Sequence, residues 1–412
     1  MRTTHATIQN FFHRLNDFAH KRSPDFWLFE SSIWLHMFAS ALISIFIPIL
    51  MLTTGFSVQE VILFYILYHV FDIPASYLGR YLTLKHGAKL TIILATVCTI
   101  IFYILYSQIS TWTDLFLMAI FYALYDGLYY IASMYIFTGS TKDPENTGEN
   151  TGILYLVVRS AFLLGPILGS TLVVASGGNK LVIVSVVVTI FIMSIIPLLF
   201  LKEIETKPEK KPLSFKEFFN NKREIKNHLS HALFKVHEGV EYIIFPMFIF
   251  LSFEELSSVA VLAVLVPVVS LIFSYSAGHI KRSNREKIIM IGAGLLALVW
   301  VIRLFTDSQV LLYGTAVAVG LFGLFVSVPL DSNMFLRGSE RGALSASLYR
   351  NIISMGAKAI LFTVLYFCIT VFEIPFIIAA SALIALVLVN RNYLIWRSKQ
   401  PGESTSIVGL PK

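Results

Sequence analysis

Charge is scarce in this sequence. Only 14% of its 412 residues are Asp, Glu, Lys or Arg, where a soluble domain carries about 25%. A chain this size cannot keep so apolar a surface in water, so most of it must face another medium. Cysteine is nearly absent as well. Cys98 and Cys368 both fall inside apolar runs, which excludes a disulfide framework and leaves them as small packing residues. Long polar loops are missing from one side of the apolar runs: Thr53–Ser57, Ser107–Thr113, Ser176–Asn179, Ser252–Leu256, Thr306–Ser308 and Thr370–Glu373 are all tight. No folded domain fits on that side. A cleavable leader is not expected either, because the first apolar run begins late and has full span length.

What is present is hydrophobic length. Runs of about 20 apolar residues, the length that crosses a bilayer as a helix, recur near 28–52, 58–79, 88–107, 114–137, 152–175, 180–201, 230–251, 257–278, 287–305, 309–330, 343–369 and 374–395. Backbone at membrane depth must satisfy its own hydrogen bonds, and these runs are too long for barrel strands. The expectation is an all-α integral membrane protein of twelve spans. Lys and Arg set its orientation: 26 of the 32 basic residues fall on one side of this topology, and Lys180 alone on the other. Basic residues mark the cytoplasmic side, so both termini are expected there, in a multi-pass protein of the cell (plasma or inner) membrane. The net charge of +7 is then a signal of topology and not of nucleic-acid binding.

The polar stretch Lys202–Asn227 splits the chain six and six. The expected organisation is an amphipathic arm over 1–27, six-helix bundles over 28–201 and 230–396, a basic linker over 202–229 and a tail over 397–412. Ser214 and Glu217 read as a capping box opening a helix with Phe215, Phe218, Phe219 and Ile225 on its apolar side. The arm carries a similar stripe of Ile8, Phe11, Phe12, Leu15 and Phe18, and both suit the inner membrane surface. The two halves look like repeats. Arg159 stands six residues before Gly165, as Arg350 does before Gly356, and Gly127 and Gly320 sit at comparable places in spans 4 and 10. Two six-helix halves in one orientation are the parallel-repeat plan of a rocking transporter.

At this point the residues resemble the major facilitator superfamily. Gly152, Ala161, Gly165, Pro166, Gly169 and Ser170 follow the spacing of that family's fifth-helix antiporter motif, with Ala161 and Ser170 in place of two glycines. Small residues let a neighbouring helix approach, and the proline bends a helix that must flex or seal. Ser339 to Ala343 looks like the short loop before helix 11 in many members. Other motifs depart from the family pattern. Gly79–Thr83, where the loop motif wants an acid, has none; Gly278–Arg282 has none either, and no arginine occupies helix 4, where Asp126 lies. The resemblance implies alternating access by two bundles.

Ionisable residues inside spans cost about 2.5–3.5 kcal/mol each on insertion scales, so each needs a partner, water or a task. They are Asp72, Asp126 and Arg159 in the first half, and His237, Glu238, Glu241, Arg350 and Lys358 in the second. Glu30, Arg303 and Asp331 lie near span ends, where snorkelling is the expectation. His237, Glu238 and Glu241 project over roughly one helical face. Two close carboxylates in a low dielectric cannot both ionise cheaply, which makes this trio, with Asp126, the candidate proton carrier. The bland alternative is static pairing with Lys358 or Arg350. Arg159 and Arg350 could present guanidinium forks to an anionic group, or pin a neighbouring acid such as Asp126; Lys358, deeper, is the stronger substrate candidate. Tyr125 and Tyr129, with Tyr122 and Tyr130, surround Asp126 and could line a cavity for a cationic or aromatic solute, joined by Trp34 and His36, or simply pack.

The function expected from sequence is a secondary transporter of a small organic solute, proton-coupled, exporting rather than importing, and monomeric. Its partners are the lipid bilayer, a small-molecule substrate and the proton, with no cofactor and no metal. A lipid or lysolipid flippase on the same fold is the alternative. A membrane-embedded metalloenzyme is a further one, because His237, Glu238 and Glu241 stand one residue from the H-E-x-x-H zinc signature, with Glu241 where the second histidine belongs.

Overall fold

The computed structural model describes residues 22–140, 147–176, 179–202, 214–220, 222–369 and 371–399. The N-terminal arm stripe, Lys142 and residues 203–213 and 221 of the basic linker lie outside the described residues. Among the described residues there are twelve helices long and apolar enough to cross a membrane. They run Pro24–Thr53, Val58–His86, Ala88–Ser107, Trp112–Gly139, Thr147–Gly169, Leu181–Phe200, Lys222–Phe253, Leu256–Ser274, Arg282–Leu304, Gln309–Gly338, Ala343–Cys368 and Glu373–Ser398, numbered here as spans 1 to 12. No strand occurs among the described residues, and Cys98 and Cys368 are free.

The two halves use the same packing plan. Span 1 packs on spans 5 and 6, span 2 on span 4, and span 3 on spans 4 and 6; span 7 packs on spans 11 and 12, span 8 on span 10, and span 9 on spans 10 and 12. Glycine makes one of these equivalences physical. A Cβ on Gly127 would lie 2.8 Å from Ala75 of span 2, and one on Gly320 would lie 2.7 Å from the Val266 carbonyl of span 8. Between the halves, span 5 runs along span 8 and span 2 along span 11. This is the two-bundle pseudo-repeat.

Span 7 starts at Lys222, inside the stretch read as linker. Its first turns are charged, which hides them from a hydropathy window. Their charges are matched by neighbours: Glu224 pairs with Arg337 at 3.1 Å and Lys226 with Glu286 at 3.4 Å, while Lys222 and Lys226 lie over the rings of Trp396 and Tyr393. The capping-box segment forms a short helix, Phe215–Phe218, and Phe215 and Phe219 rest against Tyr349 of span 11.

Spans 1 and 7 are both interrupted at mid-depth. In span 1 the α-helix stops at Ala41, a 3-10 turn covers Ser44–Phe46, and helix resumes at Ile47. In span 7 a π turn over Val240–Ile244 separates Lys222–Gly239 from Phe245–Phe253. Proline sits in the first turn of each resumed helix, Pro48 and Pro246, where its missing N–H costs no hydrogen bond. Irregular backbone at this depth is tolerated where it lines a cavity. That is where both breaks lie.

Candidate functional site

A cavity of about 370 Å³ opens between the halves beside the two breaks. Ser40, Ser44 and Ile45 of span 1 and Glu241, Tyr242, Ile243, Phe245 and Pro246 of span 7 face it, together with Tyr65, Tyr68 and His69 of span 2 and Tyr122 of span 4. Arg159, Phe162 and Pro166 of span 5 and Lys358 of span 11 complete the side of interest. The volume suits a small organic molecule, and the wall mixes aromatic rings, hydroxyls and charge.

The charges differ in how they are held. Glu241 is gripped by Arg303 of span 9, whose Nη1 and Nη2 donate to its two oxygens at 2.5 and 3.1 Å. Arg303 also donates to Thr315 at 2.8 Å and lies over the rings of Phe245 and Trp300. Expected to snorkel, Arg303 is instead buried, because its azimuth turns it into the bundle beside an acid. Asp331 likewise points inward, where it binds Arg350 and accepts a 2.7 Å hydrogen bond from Tyr155. Glu30, the third of those end residues, is buried too. Glu238 pairs with Lys235 one turn away, and His237 Nδ1 accepts from Trp300 Nε1 at 2.8 Å. The trio on span 7 is thus divided among three partners. His237 and Glu241 are committed to Trp300 and Arg303, so the zinc arrangement is not assembled.

Arg159 and Lys358 are held differently. Both line the cavity, and neither forms an ion pair among the described residues. Arg159 lies within reach of the Tyr242 hydroxyl and 5.9 Å from the Tyr155 ring centroid, and it does not pin Asp126. His69 is 1% exposed, lines the same space, and has neither ring nitrogen hydrogen-bonded. A cavity with two unneutralised cations and one unpartnered imidazole is suited to receive negative charge.

Arg350 does not reach the cavity. It joins a second layer nearer the face that carries Pro24 and Ser398, where it binds Asp331 and lies over Tyr130 and Phe335. That layer ties the halves together: Tyr155 of span 5 donates to Asp331 of span 10, and Arg350 of span 11 approaches Met134 of span 4. Beyond it, Gly152 meets Gly278, where a Cβ on Gly152 would lie 3.1 Å from the Gly278 Cα. Gly165 and Gly169 serve a different contact, admitting Ala41 and Leu42 at the break in span 1. Replacing Gly278 by Leu should therefore hold spans 5 and 8 apart. The expected result is a protein that folds but no longer closes this face, read as raised labelling of a cysteine placed at Ser274 together with loss of transport.

Tyr125, Tyr129 and Trp34 pack inside the first bundle. Tyr125 hydrogen-bonds His36 at 2.9 Å, Tyr129 stacks on the same ring, and Trp34 donates to Ser160 at 2.9 Å. Only Tyr122 of that stripe lines the cavity. Asp126 accepts from Tyr68 at 2.6 Å. Asp72 accepts from Asn351 of span 11 at 2.6 Å. In sequence Asp72 stands among the buried charges without a role, and His69 and Asn351 carry no signal that sets them apart.

The profile described as Major Facilitator Superfamily matches residues 31–357. No curated protein matches the chain. Among solved structures the fold resembles the human organic anion transporter MFSD10 (TETRAN), with a TM-score of 0.69 and 11% identity over 90% of this chain and 100% of that one. It also resembles a bacterial homologue of the iron transporter ferroportin in an outward-facing state, with a TM-score of 0.69 and 14% identity over 91% of this chain and 100% of that one. A variant of the E. coli fucose:proton symporter FucP gives a TM-score of 0.65 and 15% identity over 89% of this chain and 98% of that one. At these identities the likeness concerns the fold.

Proposed function

The chain belongs to the major facilitator superfamily and is a secondary transporter in general terms; from that premise we propose that its cargo is a small organic anion, moved by alternating access and coupled to protons. The observation that carries the choice of anion is the pair Arg159 and Lys358, which face the cavity without an acidic partner, while the one acid on that wall, Glu241, is already neutralised by Arg303. An intramembrane cation left unpaired is costly unless a ligand completes it. The aromatic wall suits an apolar or ring-bearing body behind the anionic group. A structural relative whose name includes organic anion transport agrees with this reading without carrying it.

In the same reading the bundles of spans 1–6 and 7–12 rock as units, in a monomer of the cell membrane whose termini are cytoplasmic. The breaks in spans 1 and 7 give each bundle a bending point at the depth of the cargo. The layer of Tyr155, Asp331 and Arg350 is the natural inner seal, because both bundles contribute to it.

The test uses purified protein in liposomes with an entrapped pH dye and a panel of aromatic carboxylates, sulfonates, amines and neutral analogues. Saturable uptake of anionic members with an accompanying pH change is the expected result. Uptake confined to cations or neutral solutes would overturn the choice of cargo.

A further inference from the structure

His69 is held firmly by its neighbours and left unsatisfied by them. It is 1% exposed and lines the cavity, and neither ring nitrogen has a hydrogen-bond partner. The other buried histidines among the described residues are each bonded: His36 to Tyr125, His228 to the Glu224 carbonyl, His231 to Ser354 and His237 to Trp300. Buried polar groups in native proteins find partners, so a bare imidazole on a cavity wall points to a group that enters the cavity. Packing sets its position. The Tyr68 ring centroid lies 4.3 Å away, and Phe362 of span 11 stacks on the imidazole at 5.4 Å with the planes 25° apart. Tyr65 stacks on the same Phe362, also at 5.4 Å. Stacking uses the face of the imidazole, whereas its hydrogen bonds lie in the ring plane. These contacts therefore fix the ring without occupying its nitrogens.

Phe362 also relates His69 to the proposed anion site. It follows Lys358 by four residues on span 11, one turn along the same face and about 6 Å along the helix axis. The imidazole is thus anchored one helical turn from the place of Lys358, on the wall of the same cavity. We infer that His69 binds a hydroxyl of the cargo at the end away from its anionic group, so that the cargo is a hydroxylated organic anion. This rests on the anion reading above. The choice of a hydroxyl follows from the imidazole, whose neutral ring offers one donor nitrogen and one acceptor nitrogen. A hydroxyl accepts from the first or donates to the second, so it suits whichever nitrogen meets the cargo. A carbonyl or ether suits only the donor, and an ammonium only the acceptor.

The test measures direct binding of 2-naphthoate and 6-hydroxy-2-naphthoate to the purified full-length protein in detergent at neutral pH. The two probes differ by a hydroxyl at the end of the ring system opposite the carboxylate. The unaltered protein should bind the hydroxylated probe about tenfold more tightly, the worth of one hydrogen bond. His69→Phe keeps a ring for Phe362 and Tyr68 to pack on but has no nitrogen, and it should bind both probes alike. A purely structural role for His69 would weaken both probes together and leave their ratio intact. Equal affinities in the unaltered protein, or a ratio that survives His69→Phe, overturns the inference and leaves the anion reading standing. If neither naphthoate binds, the anion reading itself fails and the inference falls with it. Should His69→Phe not fold, His69→Leu removes both nitrogens by a second route and carries the same expectation.

Discussion

Lys358→Gln should abolish most transport of organic anions while leaving the protein folded. Lys358 lines the cavity without an ion pair among the described residues, so its loss removes an attraction to cargo and breaks no structural bridge. A hydrogen bond to a charged group is worth about 1.5–3 kcal/mol, which puts the rise in Kd at about tenfold to a hundredfold. Lys358→Arg should recover part of it, because the charge returns with a different reach and shape. Arg159→Gln should behave in the same way, with the added loss of its contact to Tyr242 at the span 7 break. Direct titration with a fluorescent sulfonate gives the Kd, and unfolding temperature in detergent supplies the folding control. Unchanged affinity in both Gln variants would remove these cations from the cargo site.

Glu241 and Arg303 should answer differently, with stability as the main loss. Their bridge is fully buried, accepts Thr315 into the same network and lies between the Phe245 and Trp300 rings. Removing one member strands the other in a dry interior, which costs about 3–5 kcal/mol. Glu241→Leu and Arg303→Met are each expected to lower expression and unfolding temperature sharply. The double variant is expected to recover much of the loss, because an apolar pair of similar volume removes both desolvation penalties at once. A double variant no better than the worse single would show that the bridge does more than neutralise charge. A membrane protein's unfolding in detergent is often irreversible, so apparent midpoints at one scan rate are the quantity to compare.

These two cases also show where sequence reading reaches and where it stops. Span number, the repeat and the small residues at helix contacts follow from one-dimensional patterns: apolar length, the placement of Lys and Arg, and paired glycines such as Gly127 and Gly320. Partner identity does not, because it depends on which way a side chain faces and what lies across the bundle. Arg303 stands near the end of its span in sequence, and the snorkelling rule sends it to the surface; its azimuth carries it to Glu241 instead. The equivalence of Arg159 and Arg350 is real in sequence position, yet one faces the cavity and the other joins the seal, because their partners in the two halves differ. The tyrosine stripe divides for a similar reason. Tyr122 faces the cavity, whereas Tyr125 and Tyr129 turn toward His36. Asp72 and His69 are plain in the sequence, and only the packing of spans 2, 4 and 11 gives them neighbours that suggest a task.

If the charge of the cavity selects the charge of the cargo, two probes of nearly equal shape and opposite charge must be told apart. The direct measurement compares 2-naphthoate with 2-naphthylamine methylated to a permanent cation, in liposomes containing the unaltered protein or Lys358→Glu. Saturable uptake of the naphthoate alone by the unaltered protein, lost in Lys358→Glu, is the predicted result. Equal uptake of both probes by the unaltered protein, or naphthoate uptake untouched by the reversal, would contradict it.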